Sequence, residues 1–330
     1  MKILFIVNDV AEIITRQATT LLIHAAAVAD HEVWVCGVGE LHLATGKRLS
    51  ASARRVPKPA PNPSRLAAGL RQQASKRLDV EACDAVMLRT NPGRDVARLG
   101  SHEVGLHLLG GAVERGTVVL NDPRSLQRAA TKAYLTELPA EVVPPLIVSR
   151  SPEVIKEWLQ ALGGPAVLKP VRGTRGQDVF IVEDHEPANL SQIIDVIRRD
   201  GYVMAQAFVP EGRGGDVRVL VVDGEILEVD GRAAAVARIP ASGDFRSNIA
   251  AGGRPAVAEV DDDKRASVAR IADQLRSDGL FFVGIDFIAD QIIELNVFSP
   301  GGLGNASEQQ DRDFAGQVVR AIERYVADVS

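Results

Sequence analysis

Residues 284–296 constrain this chain more than any other stretch. They run Gly284-Ile285-Asp286-Phe287-Ile288, then Ala289-Asp290, then Gln291-Ile292-Ile293-Glu294-Leu295-Asn296. Two apolar segments joined by a short polar turn predict a β-hairpin. Residues two apart on a strand share a face, so Glu294 and Asn296 point the same way. Asp286 lies nearly opposite them on the neighbouring strand. Both strands are otherwise almost wholly apolar, so each carboxylate needs a partner. Three oxygen ligands on adjacent strands suit a hard cation, and a Mg²⁺ held in this way shares its remaining positions with substrate phosphates. Asp286, Glu294 and Asn296 are therefore candidate metal ligands; the plainer alternative is a polar face on an ordinary hairpin.

The first third of the chain alternates strands and helices. Strands are expected at residues 3–7, 32–38, 85–88 and 118–120, and helices at 19–29 and near 96–113. This alternation implies a parallel sheet covered by helices. No Gly-x-Gly-x-x-Gly follows the first strand, so the usual dinucleotide fingerprint is missing. The segment Val56-Pro57-Lys58-Pro59-Ala60-Pro61-Asn62-Pro63 is too proline-rich for a helix or central strand and reads as a surface loop. A basic amphipathic helix at 64–78, a solvated face, is expected after it. Further helices are expected at 123–136, with Asp122 as N-cap, at 152–162 and at 190–199, and strands at 166–170 and 202–207.

Charges interrupt several of these apolar runs. Arg172-Gly173-Thr174-Arg175-Gly176-Gln177-Asp178 is a glycine-bearing loop between two strands. Such a loop brings backbone N–H groups onto a phosphate, although a plain hairpin turn uses the same glycines. Lys169 ends the strand before it, and an ammonium there suits a polyphosphate. Arg218 sits in the apolar strand that starts at Asp216. Arg238 and Arg246 follow in Ala237-Arg238-Ile239-Pro240 and Arg246-Ser247-Asn248-Ile249-Ala250-Ala251-Gly252-Gly253. Three arginines near one carboxylate hairpin fit the clamping of an anionic substrate or a phosphoryl group in transfer. For Arg238 and Arg246 the alternative is surface ion pairing.

A length of 330 residues suggests two or three domains, and 46% hydrophobic with 25% charged residues is ordinary for a soluble globular chain. A net charge of −5 argues against a general nucleic-acid binder. Cys36 and Cys83 make no disulfide framework, so the cytoplasm is the expected compartment. The opening apolar run, residues 3–7, is too short to span a membrane, and no signal-peptide cleavage region follows it.

Taken together, Val167-Leu168-Lys169-Pro170, the glycine loop, residues 216–223, the Ala-Arg-Ile-Pro and Arg-x-Asn-x-Ala-Ala-Gly-Gly elements and the 284–296 hairpin resemble the ATP-grasp ligases. Within them the chain is most similar to the bacterial glutathione synthetase family, over nearly its whole length. Asn8-Asp9-Val10, Thr19-Thr20 and Leu88-Arg89-Thr90-Asn91-Pro92 match that family's N-terminal domain in position.

The resemblance implies an α/β protein with an ATP-grasp fold preceded by an α/β parallel-sheet N-terminal domain. The division expected is 1–121 for that domain and 122–330 for the ATP-grasp region, split into a lid subdomain at 122–205 and a catalytic subdomain at 206–330. It implies an ATP- and Mg²⁺-dependent carboxylate–amine ligase, with Mn²⁺ as an alternative ion. Lys132 and Lys169 fall at the nucleotide-phosphate lysines, and Gly173, Thr174, Arg175 and Gly176 at the loop covering the phosphates. Gln206, Ala207 and Phe208 occupy the adenine segment, and Asp216 a position near the ribose. Arg218 falls at the acyl-phosphate arginine. Arg238 and Arg246 align with the branch's other arginines, with Asn248 grouped beside them as catalytic. Asp286, Glu294 and Asn296 match the magnesium ligands. Small-molecule substrates are implied, an amino-acid or small-peptide donor and an amine acceptor. No nucleic acid or membrane partner is expected, and a homo-oligomer is.

Two departures stand out. The family loop reads Gly-Met-Gly-Gly, and here Thr174-Arg175 replaces its centre. After Asn296 comes Val297-Phe298-Ser299-Pro300-Gly301-Gly302-Leu303-Gly304-Asn305, without the family's arginine near the acceptor. An insertion also falls near residues 228–235. The glycine-rich run reads as flexible and roomy, so an acceptor broader than or different from glycine is expected, with a γ-glutamyl donor. Three readings compete: a ligase that joins γ-glutamylcysteine to glycine through an acyl phosphate, a related amino-acid or peptide ligase with a different acceptor amine, and a non-catalytic nucleotide-binding module. A full set of lysine and metal positions argues against the last.

Overall fold

The computed structural model of the chain describes residues 1–173, 177–183, 189–241 and 253–329. Its first sheet is built around Lys2–Val7, whose apolar side chains are almost entirely buried. That strand pairs in parallel with Glu32–Gly37 on one side and Ala85–Leu88 on the other, and Val119–Leu120 continues the parallel set. Helices Ala18–Val28 and Leu99–Glu114 follow the first and third of these strands. The expected parallel sheet is present, but the whole sheet is mixed and seven-stranded. Ser50–Arg55 adds antiparallel to Glu32–Gly37, and Leu41–His42 and Lys76–Asp79 pair antiparallel with it in turn. Ser50-Ala51-Ser52-Ala53 carries little apolar signal, so backbone pairing rather than side-chain pattern makes this edge.

The helix expected at 64–78 is shorter. Pro63–Gln72 is helical, with the Asn62 side chain accepting from the Arg65 amide at 3.0 Å, and Lys76–Asp79 is a strand. The helix expected at 123–136 is likewise divided. Pro123–Ala129 is α-helical, capped at Asp122 as expected, and Lys132–Glu137 is a 3₁₀ segment. The break has a tertiary cause: the Lys132 amide donates to Val171 O at 3.0 Å and ties this segment to the next sheet.

That second sheet has four antiparallel strands in the order Phe180–Val182, Ala166–Pro170, Val203–Ala207, Leu146–Ser149. Helices Pro152–Leu162 and Leu190–Ile197 close a separate small core through Ile155, Leu159, Leu168, Ile194 and Val203. Pro152–Leu162 starts at the Ser151 cap with Pro152 in its first turn and stops at Gly163, whose φ of +68° suits a residue without a Cβ.

The third sheet is six-stranded and antiparallel, in the order Arg254–Val257, Ala235–Ile239, Asp216–Val222, Phe282–Ile288, Gln291–Asn296, with Glu225–Ile226 paired to Asp216–Val222. The insertion near 228–235 forms a small hairpin, Glu228–Val229 with Arg232–Ala233. Helix Phe314–Val329 packs on Ala18–Val28 of the N-terminal region. Asn121 stitches the first and third sheets together: its amide donates to Phe282 O at 3.0 Å and Val297 O at 2.6 Å, and its Oδ1 accepts from the Phe282 amide at 2.6 Å. Among the described residues no helix is long and apolar enough to cross a membrane.

Candidate active site

The expected hairpin forms, with a β-bulge between Asp286 and Phe287 that shifts the register on the turn side of the charged residues. Asp286 pairs with Glu294 and Gly284 with Asn296, and on its other side Asp286 pairs with Arg218. Directly cross-strand residues share a face, so the charges meet. Arg218 donates from Nε to Asp286 Oδ1 at 2.6 Å and from Nη2 to Oδ2 at 2.7 Å. Arg238, opposite Asp216 in register, makes the same two-pronged contact with Asp216 at 2.5 and 2.8 Å, and its Nη2 also reaches Asp286 Oδ2 at 2.7 Å. Asn296 Nδ2 donates to Asp286 Oδ2 at 3.2 Å.

Asp286 is fully buried. Burial alone would raise its pKa, but the Arg218 and Arg238 guanidinium groups overcome that and hold the carboxyl at about 2. Burial likewise works against the charge on Arg238, and Asp286 and Asp216 more than reverse it, so its pKa is raised. The network runs Asp216–Arg238–Asp286–Arg218. Asp216, expected near a ribose, here anchors Arg238.

Lys169 faces this hairpin from the four-stranded sheet. It is buried, and its Nζ donates to Gln206 Oε1 at 2.8 Å and to Ile293 O at 3.3 Å. Burial pushes its pKa down to about 8, with Glu294 opposing that shift and Lys132 adding to it. Gln206 Nε2 is buried and has no partner among the described residues. The Ala207 and Phe208 amides, in the segment expected to hold adenine, donate to Pro145 O at 2.8 Å and Pro165 O at 2.9 Å. Lys132 Nζ donates to Gly173 O at 2.9 Å and lies 3.3 Å from Glu294 Oε1. The site thus brings Lys132, Lys169, Gly173 and Gln206 against Glu294, with Asp286, Asn296, Arg218, Arg238 and Asp216 linked behind it. Thr174, Arg175, Gly176, Arg246 and Asn248 lie outside the described residues.

Asp286, Glu294 and Asn296 offer hard oxygen donors on two paired strands and fit a divalent cation in chemistry. Glu294 is the most available, since its side chain is 33% exposed and its ion pair is with Lys132. Asp286 is neutralised by arginines, so a cation there must displace one of them. Among the described residues no three His, Cys, Asp or Glu side chains form a metal cluster, which leaves two carboxylates and an amide as the donor set.

The glycine-rich run is not the open chain its composition suggested. Gly302, at φ +109°, leads directly into helix Leu303–Gln310. A Cβ on Gly302 would lie 3.6 Å from Arg218 Cδ, and one on Gly284 would come within 3.0 Å of Pro300 Cβ. The run therefore packs on Arg218, and only at Gly301 does an added Cβ meet open space. Sequence reasoning assigned no role to Arg89, although a charge placed at the carboxyl end of an apolar strand was the available signal.

Comparison with known proteins agrees with this geometry. The family model described as prokaryotic glutathione synthetase, N-terminal domain, matches residues 1–127, and that described as prokaryotic glutathione synthetase, ATP-grasp domain, matches residues 131–311. Glutathione synthetase from Vibrio parahaemolyticus is 31% identical over 329 residues, covering 99% of each chain. The enzyme from Vibrio cholerae is 32% identical over 328 residues, covering 98% of each. Among solved structures, D-cycloserine synthetase DcsG superposes with a TM-score of 0.66 at 19% identity, covering 98% of this chain and 99% of that one. The ATP-grasp ligase PsnB, in a complex with minimal precursor, Mg and ADP, gives 0.61 at 18% identity, covering 98% of each. These two show the shared fold, and the full-length relatives show the branch. The chain belongs to the prokaryotic glutathione synthetase family of ATP-grasp ligases.

Proposed function

We propose that this chain joins the cysteinyl carboxylate of γ-glutamylcysteine to the amine of glycine, using ATP and passing through an acyl phosphate. The observation that carries this reading is that Lys132 pairs with Glu294 and Lys169 donates to Ile293 O on the strand whose Glu294 stands opposite Asp286, itself paired with Arg218.

In this reading the polyphosphate lies along Lys132 and Lys169, the latter's pKa lowered chiefly by burial with the Lys132 ammonium adding to the shift. The unpartnered Gln206 Nε2 marks the side where the base enters. Asp286, Glu294 and Asn296 would hold Mg²⁺, which supplies charge neutralisation for the phosphate oxygens. The donor carboxylate attacks the γ-phosphorus, and ADP leaves. Arg218 carries the charge of the acyl phosphate, and Arg238 keeps Asp286 and Asp216 in place behind it. The glycine amine then attacks the acyl carbon, loses a proton and expels phosphate. Arg246 and Asn248 are proposed as further catalytic groups, and Thr174, Arg175 and Gly176 as phosphate-binding loop residues that limit hydrolysis of the acyl phosphate. No side-chain nucleophile is needed.

We assign the N-terminal domain to 1–121 and the ATP-grasp region to 122–330. The free, buried Cys36 and Cys83 support a reducing compartment such as the cytoplasm. A homo-oligomer is part of the same proposal, as is tolerance of Mn²⁺. The open space at Gly301 favours a second reading, in which amines larger than glycine are also accepted. Phosphate release with ATP, Mg²⁺, γ-glutamylcysteine and a panel of amines tests both. Glycine-dependent release is expected. No release with any pair removes the ligase reading, and glycine as the sole effective amine removes the second.

A further inference from the structure

Arg89 is buried at the carboxyl end of Ala85–Leu88, 4% exposed. Its Nε donates to Thr19 Oγ1 at 3.3 Å and its Nη2 to Pro300 O at 3.2 Å. Its Cζ lies 5.1 Å over the Phe282 ring. Among the described residues none of these partners is a carboxylate, and none takes Nη1. Burial pushes its pKa down to about 9, which leaves it charged at neutral pH.

A buried cation without a counter-ion is expensive, and the surroundings add to the cost. Thr19 lies in the first turn of Ala18–Val28, so the guanidinium sits at the positive end of an 11-residue helix. Each other arginine buried in the site behaves differently: Arg218 and Arg238 carry two-pronged carboxylates.

Its place in the topology gives the reason for such a charge. Lys2–Val7 lies between Glu32–Gly37 and Ala85–Leu88, so the parallel strand that follows it is on one side and the next parallel strand, reached after Leu41–His42, Ser50–Arg55 and Lys76–Asp79, is on the other. Ligands of such sheets enter at the carboxyl ends of the strands where this reversal occurs. Asn8 and Asn91 mark that point, the Asn91 amide donating to Asn8 Oδ1 at 2.7 Å. Two residues after Pro300 the backbone packs on Arg218: a Cβ on Gly302 would lie 3.6 Å from its Cδ. Arg89 and Arg218 thus both border the same short run.

We propose that Arg89 is a substrate-recognition residue that binds a carboxylate not consumed in the reaction, in the crevice between the carboxyl ends of Lys2–Val7 and Ala85–Leu88. The carboxylate belongs to an amino-acid substrate, either the glutamyl α-carboxylate of the donor or the carboxylate of the acceptor. This inference rests on the ligase reading above and names the group its site recognises. A purely structural brace between the first sheet and Pro300 is the competing role.

The test is a comparison of carboxylate with amide. Calorimetry, with a non-hydrolysable ATP analogue present, would titrate γ-glutamylcysteine against its glutamyl α-amide, and glycine against glycinamide, into wild type and Arg89→Gln. Wild type should prefer the acid in one of the two arms by about 10- to 100-fold, the range for one charge-assisted hydrogen bond. Arg89→Gln should erase that preference and leave the other arm and the affinity for the ATP analogue unchanged. Arg89→Lys keeps the charge and loses the planar fork, so it should retain a reduced preference, and it carries the test if Arg89→Gln does not fold. An acid preference of equal size in wild type and variant in both arms overturns the proposal, as does a wild type with no acid preference. Because the readout is binding, it is independent of turnover. Phosphate release by wild type, measured alongside, reports separately on the ligase reading.

Discussion

On the six-stranded sheet Asp216 and Asp286 are interleaved with Arg238 and Arg218, and every carboxylate oxygen of Asp286 is already taken by a guanidinium. On the four-stranded sheet Lys169 is buried against a neutral amide and a backbone carbonyl, and Gln206 Nε2 has no partner among the described residues. One side of the site has satisfied its own charges, while the other carries a charge and a donor whose partners must come from a ligand. The first arrangement is costly to break, and the second is costly to leave empty. That difference predicts stability effects on one sheet and binding effects on the other.

The largest effect should come from Asp286→Ala. It strands Arg218 and leaves Arg238 with Asp216 alone, so urea denaturation should show a loss of about 3–5 kcal/mol. Turnover should fall by about 100- to 1000-fold. Wild-type stability would mean that the network is not what holds the two arginines.

Glu294→Gln should keep the fold, because Glu294 is part-exposed, yet lose most turnover, roughly 100-fold. An amide carries no charge to offset a divalent cation and polyphosphate. Near-normal turnover at saturating Mg²⁺ would take Glu294 out of the metal set.

On the opposite sheet, Lys169→Ala should weaken a non-hydrolysable ATP analogue by about 1.5–3 kcal/mol, a charge-assisted contact, with little change in donor binding. Stability should hold or rise, since a buried ammonium is removed. An unchanged dissociation constant sinks the phosphate assignment.

A smaller effect concerns pH. Burial lowers Lys169 to about 8, so its charged, phosphate-binding form is lost as pH rises through that value. Bound phosphate favours the ammonium, so binding takes up protons above pH 8. Analogue affinity should therefore decline by up to about tenfold per pH unit there, and the decline should vanish in Lys169→Ala. An affinity that is flat from pH 7 to 9.5 in wild type would show that Lys169 stays charged throughout.

The smallest effect should be that of Cys83→Ala. Burial pushes its thiol up to about 12, so it carries no thiolate at neutral pH. Turnover should stay within about twofold, and a greater loss would demand a role for the thiol that the geometry does not supply.

Much of the fold was legible because period and punctuation agree. Pro152–Leu162 and Ala166–Pro170 occupy the expected residues, since a Ser-Pro start, a glycine stop and an unbroken apolar run are local signals. The strand Ser50–Arg55 was not legible, because its small polar residues encode no face and its pairing is supplied by the backbone of Glu32–Gly37. The 123–136 segment was misjudged for a related reason: the bond from Lys132 to Val171 breaks a helix that local propensity would continue.

The sequence by itself determined which residues carry charge within apolar strands, and hence that Lys169, Arg218, Asp286 and Glu294 needed polar partners, because burying an ion without them is costly. It also placed Asp286 nearly opposite Glu294 and Asn296, since a short turn folds one strand back on the other, whereas the β-bulge between Asp286 and Phe287 that shifts the register is not written in the apolar pattern. Only the tertiary structure decided which charge meets which. Arg218 and Asp286 are 68 positions apart, Lys169 and Ile293 are 124 apart, and Arg89 and Pro300 are 211 apart. No local pattern encodes such pairings, because they follow from how three sheets pack. That packing gives Asp286 two arginines and leaves Arg89, at the edge of the same site, without a carboxylate among the described residues.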